Sequence, residues 1–171
     1  VIFASCSSDE DMITGKTLPQ GKYPVAMTVS VESPIARSSV DGTWTNGEKV
    51  TVQAITKTGD AYNWNDAASY PYEINNDIPA ASTKKETHYW QRSDETKLMR
   101  AWHCADGSTS NTLPDSWSVA ADQNETGNGY AESDLLFTAP VEVKFGSTAD
   151  LIFYHQTARI IVNIKKTEGI D

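Results

Sequence analysis

Basic residues are scarce: 14 Lys and Arg stand against 23 Asp and Glu, a formal net charge of −9 over 171 residues. A nucleic-acid surface needs clustered Lys and Arg to displace phosphate counterions, so that class of partner is excluded. Cysteine is rarer still. Cys6 and Cys104 are the whole complement, and neither sits in a Cys-x-x-Cys pair or at metal-ligand spacing from a histidine. Zinc and dithiol redox motifs are therefore absent, leaving a single disulfide or a buried free thiol as the open readings. His103 adjoins Cys104, but neighbouring strand residues point to opposite faces and do not share one metal. No stretch approaches the roughly 20 consecutive apolar residues that a membrane-spanning helix needs. Gly-x-Ser-x-Gly and His-Glu-x-x-His signatures, internal repeats and apolar heptads are missing as well.

What is present favours strands. Hydrophobic residues make up 39% and charged residues 22%, the composition of an ordinary globular domain with a sizeable core. Five tryptophans (Trp44, Trp64, Trp90, Trp102 and Trp117) accompany abundant Thr, Ser, Val and Asn, residue types that fit a pleated surface. The organising stretch is Ala149 to Ile164. Leu151, Phe153 and His155 fall on every second position, as do Ile160, Val162 and Ile164, with Gln156 to Arg159 as the corner between the two runs. Period-two alternation marks half-buried strands. Val25, Met27, Val29 and Val31 form a third such run, and Val50, Val52 and Ala54 a fourth.

Further strands are predicted at 60–65, 70–75, 87–91, 97–104 and 141–145, with tight turns at Asp41-Gly42 and Asn46-Gly47. Residues 76–86, which contain Pro79, read as a loop. Residues 105–130 read as a long polar excursion with Leu113, Trp117 and Val119 as its apolar anchors, and connections of that length are usually functional or mobile. The expectation is an all-β antiparallel sandwich of about seven to nine strands and no helix.

At the N-terminus, Val1-Ile-Phe-Ala-Ser-Cys6 resembles the end of a signal peptide running into a lipidation site. Residues 1–5 would be residual signal peptide, Cys6 the acylated residue and 6–17 a polar tether. The Ser-Ser-Asp-Glu-Asp run after Cys6 resembles the surface-export signal of lipoproteins in the Bacteroides group. An acylated Cys6 would anchor the protein to a membrane without embedding it.

Several segments in order carry a wider resemblance. They are Leu18-Pro-Gln-Gly21, Trp44-Thr-Asn-Gly-Glu-Lys-Val-Thr-Val52, Tyr89-Trp90, Met99-Arg-Ala-Trp102, Asp134-Leu-Leu-Phe-Thr-Ala139 and Phe153-Tyr-His-Gln-Thr-Ala-Arg-Ile-Ile-Val-Asn-Ile164. Together, over about residues 18–171, they resemble the fimbrillin (Mfa-like) family of Bacteroides-type bacteria. Trp102-His103-Cys104 departs from that family's aromatic-aromatic-proline ending, and the 105–130 excursion is long.

The resemblance implies a transthyretin-like sandwich forming the N-terminal domain of a pilus subunit or related outer-membrane surface lipoprotein, with a second domain beyond it. It implies proteolytic removal of the first strand and assembly by strand donation between subunits, contributing to adhesion. The cleavage candidate is Arg37, the first arginine of the chain and the only one before Arg92, with Lys16 and Lys22 as competitors. The implied partners are other pilus subunits, the outer membrane through the lipid, and host or bacterial surface glycans or proteins.

Enzymatic chemistry finds little support. His88, His103 and His155 fall on separate strands, and His155 reads as a packed histidine bonded to backbone. Acidic residues are too plentiful for any pair to identify glycoside hydrolysis. Asp122-Gln-Asn-Glu-Thr-Gly127 matches the start of a calcium loop, but Ser133 stands where the closing bidentate Glu belongs. Asn124-Glu-Thr126 fits a glycosylation sequon. No cofactor and no metal are expected. The rival reading is a carbohydrate-binding module that stacks sugars on Tyr62, Trp64, Tyr70 and Tyr72.

Overall fold

The computed structural model describes residues 16–32, 43–59, 62–81, 86–123 and 129–157. Its strands are β1 (Ala26–Val31), β2 (Lys49–Thr56), β3 (Ala68–Asn75), β4 (Ile78–Ala81), β5 (Thr96–Cys104), β6 (Leu135–Thr138), β7 (Val141–Lys144) and β8 (Thr148–His155). All eight belong to one sheet in the order β1-β8-β6-β5-β2-β3-β4, with β7 also paired to β5. The fold is all-β and mostly antiparallel, as the sequence predicts. The exception is β1, which runs parallel to β8, Met27 beside Ala149 and Val29 beside Leu151. The sheet curls toward a barrel. Val29 N–H, at one end of the strand order, donates to the carbonyl of Asp77 in the β3–β4 turn at the other, at 3.0 Å.

Alternation builds the core. Met27 and Val29 of β1, Val50 and Val52 of β2, Tyr72 and Ile74 of β3, Met99 and Ala101 of β5, and Ala149, Leu151 and Phe153 of β8 all face one interior. A second, smaller cluster lies on the opposite face of β5, where Trp102 and Cys104 pack with Leu135 under Leu113 and Trp117. Residues 105–123 are thus a cover for this outer cluster rather than a detached excursion. Trp117 Nε1 donates to the Ser133 carbonyl at 2.7 Å, and the buried Ser133 hydroxyl accepts from Ala120 N–H at 2.8 Å. Of the three predicted anchors, Val119 remains exposed. Cys104 is a free buried thiol, and burial pushes its pKa up.

Several local expectations are corrected. Residues 78–81 form β4, because Asn76 and Asp77 both adopt positive φ (51° and 61°) and make a two-residue hairpin turn. Asn46 Oδ1 accepts from Asn76 N–H at 2.8 Å and steadies that turn. Pro79 is tolerated because β4 is the last strand in the order. Within the predicted 60–65 strand, Trp64–Asp66 forms a 3-10 turn, capped by Asn63 Oδ1 accepting from Asn65 N–H. Residues 87–91 make only an isolated bridge, Tyr89 with Pro24. One short helix, α1 (Gly129–Glu132), precedes β6, and strands resume at Leu135 rather than at Val141. The Ile160–Ile164 run and the Asp41-Gly42 turn lie outside the described residues.

Two polar groups inside this fold are fully engaged. Glu95 is buried and accepts from Lys97 Nζ at 2.5 Å, from the Thr56 hydroxyl, and from Gln91 N–H at 2.8 Å. Burial pushes the carboxyl pKa up, but these donors outweigh it and the net shift is downward. Truncating one partner of such a pair strands a buried charge, so Glu95→Ala is expected to cost about 3–5 kcal/mol in urea unfolding.

His88 lies between Tyr70 and Tyr72, and its Nε2 donates to the Val52 carbonyl at 3.1 Å. Burial lowers its pKa to about 4 from an ordinary 6.5. The unfolded chain therefore binds a proton between those values that the native protein refuses. This contribution to stability is complete above pH 6.5 and is lost as pH falls toward 4, at about 1.4 kcal/mol per pH unit. Urea midpoints of wild type and His88→Gln, compared at pH 7 and pH 5, should converge at the lower pH. A gap that stays constant would contradict the assignment.

Candidate functional site

The feature that distinguishes this sheet is the seat of its first strand. The chain enters along residues 16–25, tied to the 88–93 segment by Leu18 N–H to the Gln91 carbonyl (2.8 Å), Trp90 N–H to the Tyr23 carbonyl (2.8 Å) and Val25 N–H to the His88 carbonyl (2.9 Å). It continues as β1, whose outward residues Ala26, Thr28 and Ser30 are exposed while Met27 and Val29 are buried. Leu18, Val25, Met27 and Val29 thus form a row of buried side chains supplied by the N-terminal segment.

Beside Met27 and Val29, on the same face of the sheet, lie Ala149, Leu151 and Phe153 of β8, each with no measurable exposure. Trp44 packs edge-on against Phe153 at 5.0 Å between ring centroids. Outside the core, the register is pinned by Thr28 Oγ1 donating to Asp150 Oδ1 at 2.5 Å and, just past the strand end, by Glu32 N–H to the Phe153 carbonyl at 2.9 Å.

The energetics of this seat are lopsided. Each fully buried aliphatic side chain contributes roughly 1.5–3 kcal/mol, and a whole domain is stable by only about 5–15 kcal/mol. An empty seat would therefore consume a large part of the fold's margin. The chemistry available here is strand pairing: a backbone ladder along β8 and an apolar trough that accepts alternate side chains.

The sequence-predicted residues distribute as follows. Cys6 and Arg37 lie outside the described residues, as does most of the Asp122–Gly127 loop. Lys16 and Lys22 are exposed, and Lys16 pairs with Asp94 at 2.9 Å. Among the described residues no group of three His, Cys, Asp or Glu side chains is placed to hold a metal.

His155 is bonded to a carboxylate and not, as predicted, to backbone. Its Nδ1 meets Asp134 Oδ2 at 2.6 Å, and Thr157 Oγ1 donates to Asp134 Oδ1 at 2.7 Å. The partners are 21 residues apart in sequence, and only the β6–β8 pairing brings them together. His103 Nδ1 donates to the Lys49 carbonyl at 2.7 Å.

The aromatic platform does not form a flat surface. Tyr72 is buried, Tyr70 packs on the core, and the Tyr62 and Trp64 rings stand at 79° to each other. The Arg100 guanidinium covers a face of Trp64 at 4.2 Å.

A curled all-β scaffold whose N-terminal strand is seated parallel against its last described strand is the class of protein that fold and site define. Its sequence matches the fimbrillin-like family over residues 36–171, and the chain belongs to that family. Among solved structures it is similar to a fimbrial protein from Bacteroides ovatus ATCC 8483, at 14% identity and a TM-score of 0.44, covering 77% of this chain and 28% of that one. No curated protein matches it.

If β1 is seated as described, trimming its inward residues should be felt globally. Met27→Ala is expected to cost about 2–5 kcal/mol, whereas Thr28→Ala on the outward face should stay within roughly 1 kcal/mol. Urea denaturation of both variants checks the orientation of the strand.

Proposed function

We propose that this chain is a structural pilus subunit, or a fimbrillin-like surface lipoprotein, that assembles by donor-strand exchange at the β1 seat. The observation that carries the reading is the N-terminal row Leu18, Val25, Met27 and Val29, buried in the core and supplied by one segment whose strand β1 pairs edge to edge with β8. Cleavage at Arg37, downstream of that row in the sequence, would release the segment as a unit. An extended strand from another subunit then fills the trough, its alternate side chains replacing the buried row and its backbone continuing the β8 ladder.

Membership of the fimbrillin-like family supports this role. Acylation at Cys6, anchoring in the outer membrane and a contribution to adhesion complete the proposal, as does a second domain beyond the 18–171 domain. The function needs no cofactor and no catalysis. The carbohydrate-binding alternative through Tyr62, Trp64, Tyr70 and Tyr72 loses support because those rings share no exposed plane.

Limited digestion of the full-length protein with a trypsin-like protease tests the reading. Cleavage at Arg37 is expected to yield ladders on a native gel and filaments by electron microscopy, and Arg37→Gln is expected to abolish both. Cleaved protein that remains monomeric would refute the polymerising role.

A further inference from the structure

Residues 105–123 leave the end of β5 and return over the outer face of the sheet, held there by other means than the strands beneath. At their base Ala105 N–H donates to the Asp134 carbonyl at 3.1 Å, and Gly107 N–H closes a turn on the Cys104 carbonyl at 3.0 Å. Beyond that turn, residues 108–123 make no backbone-to-backbone hydrogen bond among the described residues. None of residues 105–123 is buried; Leu113 and Trp117 are half-buried and Val119 is exposed. A segment with no ladder and few buried apolar contacts belongs to the low end of local stability.

One residue latches the segment. The buried Ser133 hydroxyl accepts from Ala120 N–H at 2.8 Å and from Gln123 Nε2 at 3.0 Å, and it donates to the Gly129 carbonyl. A hydroxyl offers one donor and two acceptor positions, so Ser133 Oγ is saturated. The Ser133 carbonyl takes Trp117 Nε1–H at 2.7 Å. Three hydrogen bonds from the segment thus converge on Ser133, and Leu113 and Trp117 add apolar contact with the Trp102, Cys104 and Leu135 cluster.

The far end is seated just as closely. A Cβ on Gly129 would lie 1.9 Å from the Asp122 carbonyl oxygen. Gly129 has no positive φ, so the approach of the segment, and not the local backbone, is what requires glycine there. Under the cover lies the buried free thiol of Cys104, hydrogen-bonded to the Ser108 side chain.

We propose that residues 105–123 form a strap, latched at Ser133, that opens as a unit while the sheet stays folded. The strands beneath keep their own ladders when it lifts, since Trp102, His103 and Cys104 pair with β6 and residues 97–102 with β2. Opening bares an apolar, thiol-bearing face of β5 and β6 that the closed strap conceals. The device does not depend on strand exchange at the β1 seat.

Cys104 reports on the opening. In the whole chain carrying Cys6→Ser it is the only thiol. Labelling uses dithiobis(nitrobenzoate): the Cys104 thiolate attacks the reagent's disulfide, a mixed disulfide forms and one thionitrobenzoate leaves. Rates are measured from zero urea to just below the unfolding transition. Lifting a short strap exposes little surface, so the rate is expected to stay nearly flat in urea. Labelling through global unfolding alone would climb with the full slope of the unfolding curve.

Ser133→Ala should raise the rate at zero urea about tenfold. Gly129→Ala should raise it too, although alanine is the better helix former. Val119→Ser, at an exposed position of the strap, should leave it unchanged. The flat profile is read with strap and latch unaltered, so the test survives a variant that fails to fold. The proposal is overturned by labelling that keeps the full unfolding slope down to zero urea, by no labelling below the transition, or by a Ser133→Ala rate equal to that of its parent.

Discussion

The parallel ladder between β1 and β8 is the constraint on which the rest of the structure turns. β8 gives its inward residues Ala149, Leu151 and Phe153 entirely to the core, and its two neighbours differ in kind. On one side β6 pairs with it in the usual antiparallel manner, three residues deep at His155, Tyr154 and Phe153. On the other, β1 arrives from the far end of the chain and covers Thr148 to Phe153. The remaining strands need β8 to close their core, and β8 needs a neighbour on its second edge. Nothing in the ladder requires that this neighbour belong to the same chain, because backbone bonds and a trough of alternate pockets recognise any strand of suitable pattern.

Polar groups reinforce the arrangement from around the seat. His88 and the Glu95–Lys97 pair sit in or beside the 88–97 segment that the N-terminal residues lie along. Their side-chain hydrogen bonds run to Val52, Thr56, Gln91 and one another, while the backbone of the segment and Asp94 are bonded to the N-terminal residues. The His155–Asp134–Thr157 set plays the corresponding part at the other end, tying the close of β8 to the start of β6.

Much of the fold was legible in the sequence where one strand face is buried and the other wet. β1 and β8 bury alternate residues where their alternation places them, whereas β2 lies at its predicted span but buries Thr51 and Gln53 on its second face as well. Legibility failed where other physics decides. β4 was read as loop because Pro79 and the polar Asn76-Asp77 pair looked like breakers, yet an edge strand tolerates proline and the pair makes the turn. The 3-10 turn at Trp64 depends on the Asn63 cap, which outweighs the aromatic strand signal. The outer cluster under Leu113 and Trp117 exists only because both faces of β5 are covered.

For the site, the alternation of Val25 to Val31 marked a strand but not its parallel partner, since pairing over more than a hundred residues leaves no local trace. The Asp134–His155 bond was hidden for the same reason. Ser30 of β1 and Ile152 of β8 face each other on the outer surface of the parallel pair, close enough for a disulfide that would lock the seat. The most direct measurement is polymerisation of the protease-treated Ser30→Cys/Ile152→Cys protein, oxidised and reduced. If β1 must leave for another strand to enter, the oxidised protein stays monomeric after cleavage and polymerises on reduction. Equal polymerisation in both states would contradict the account.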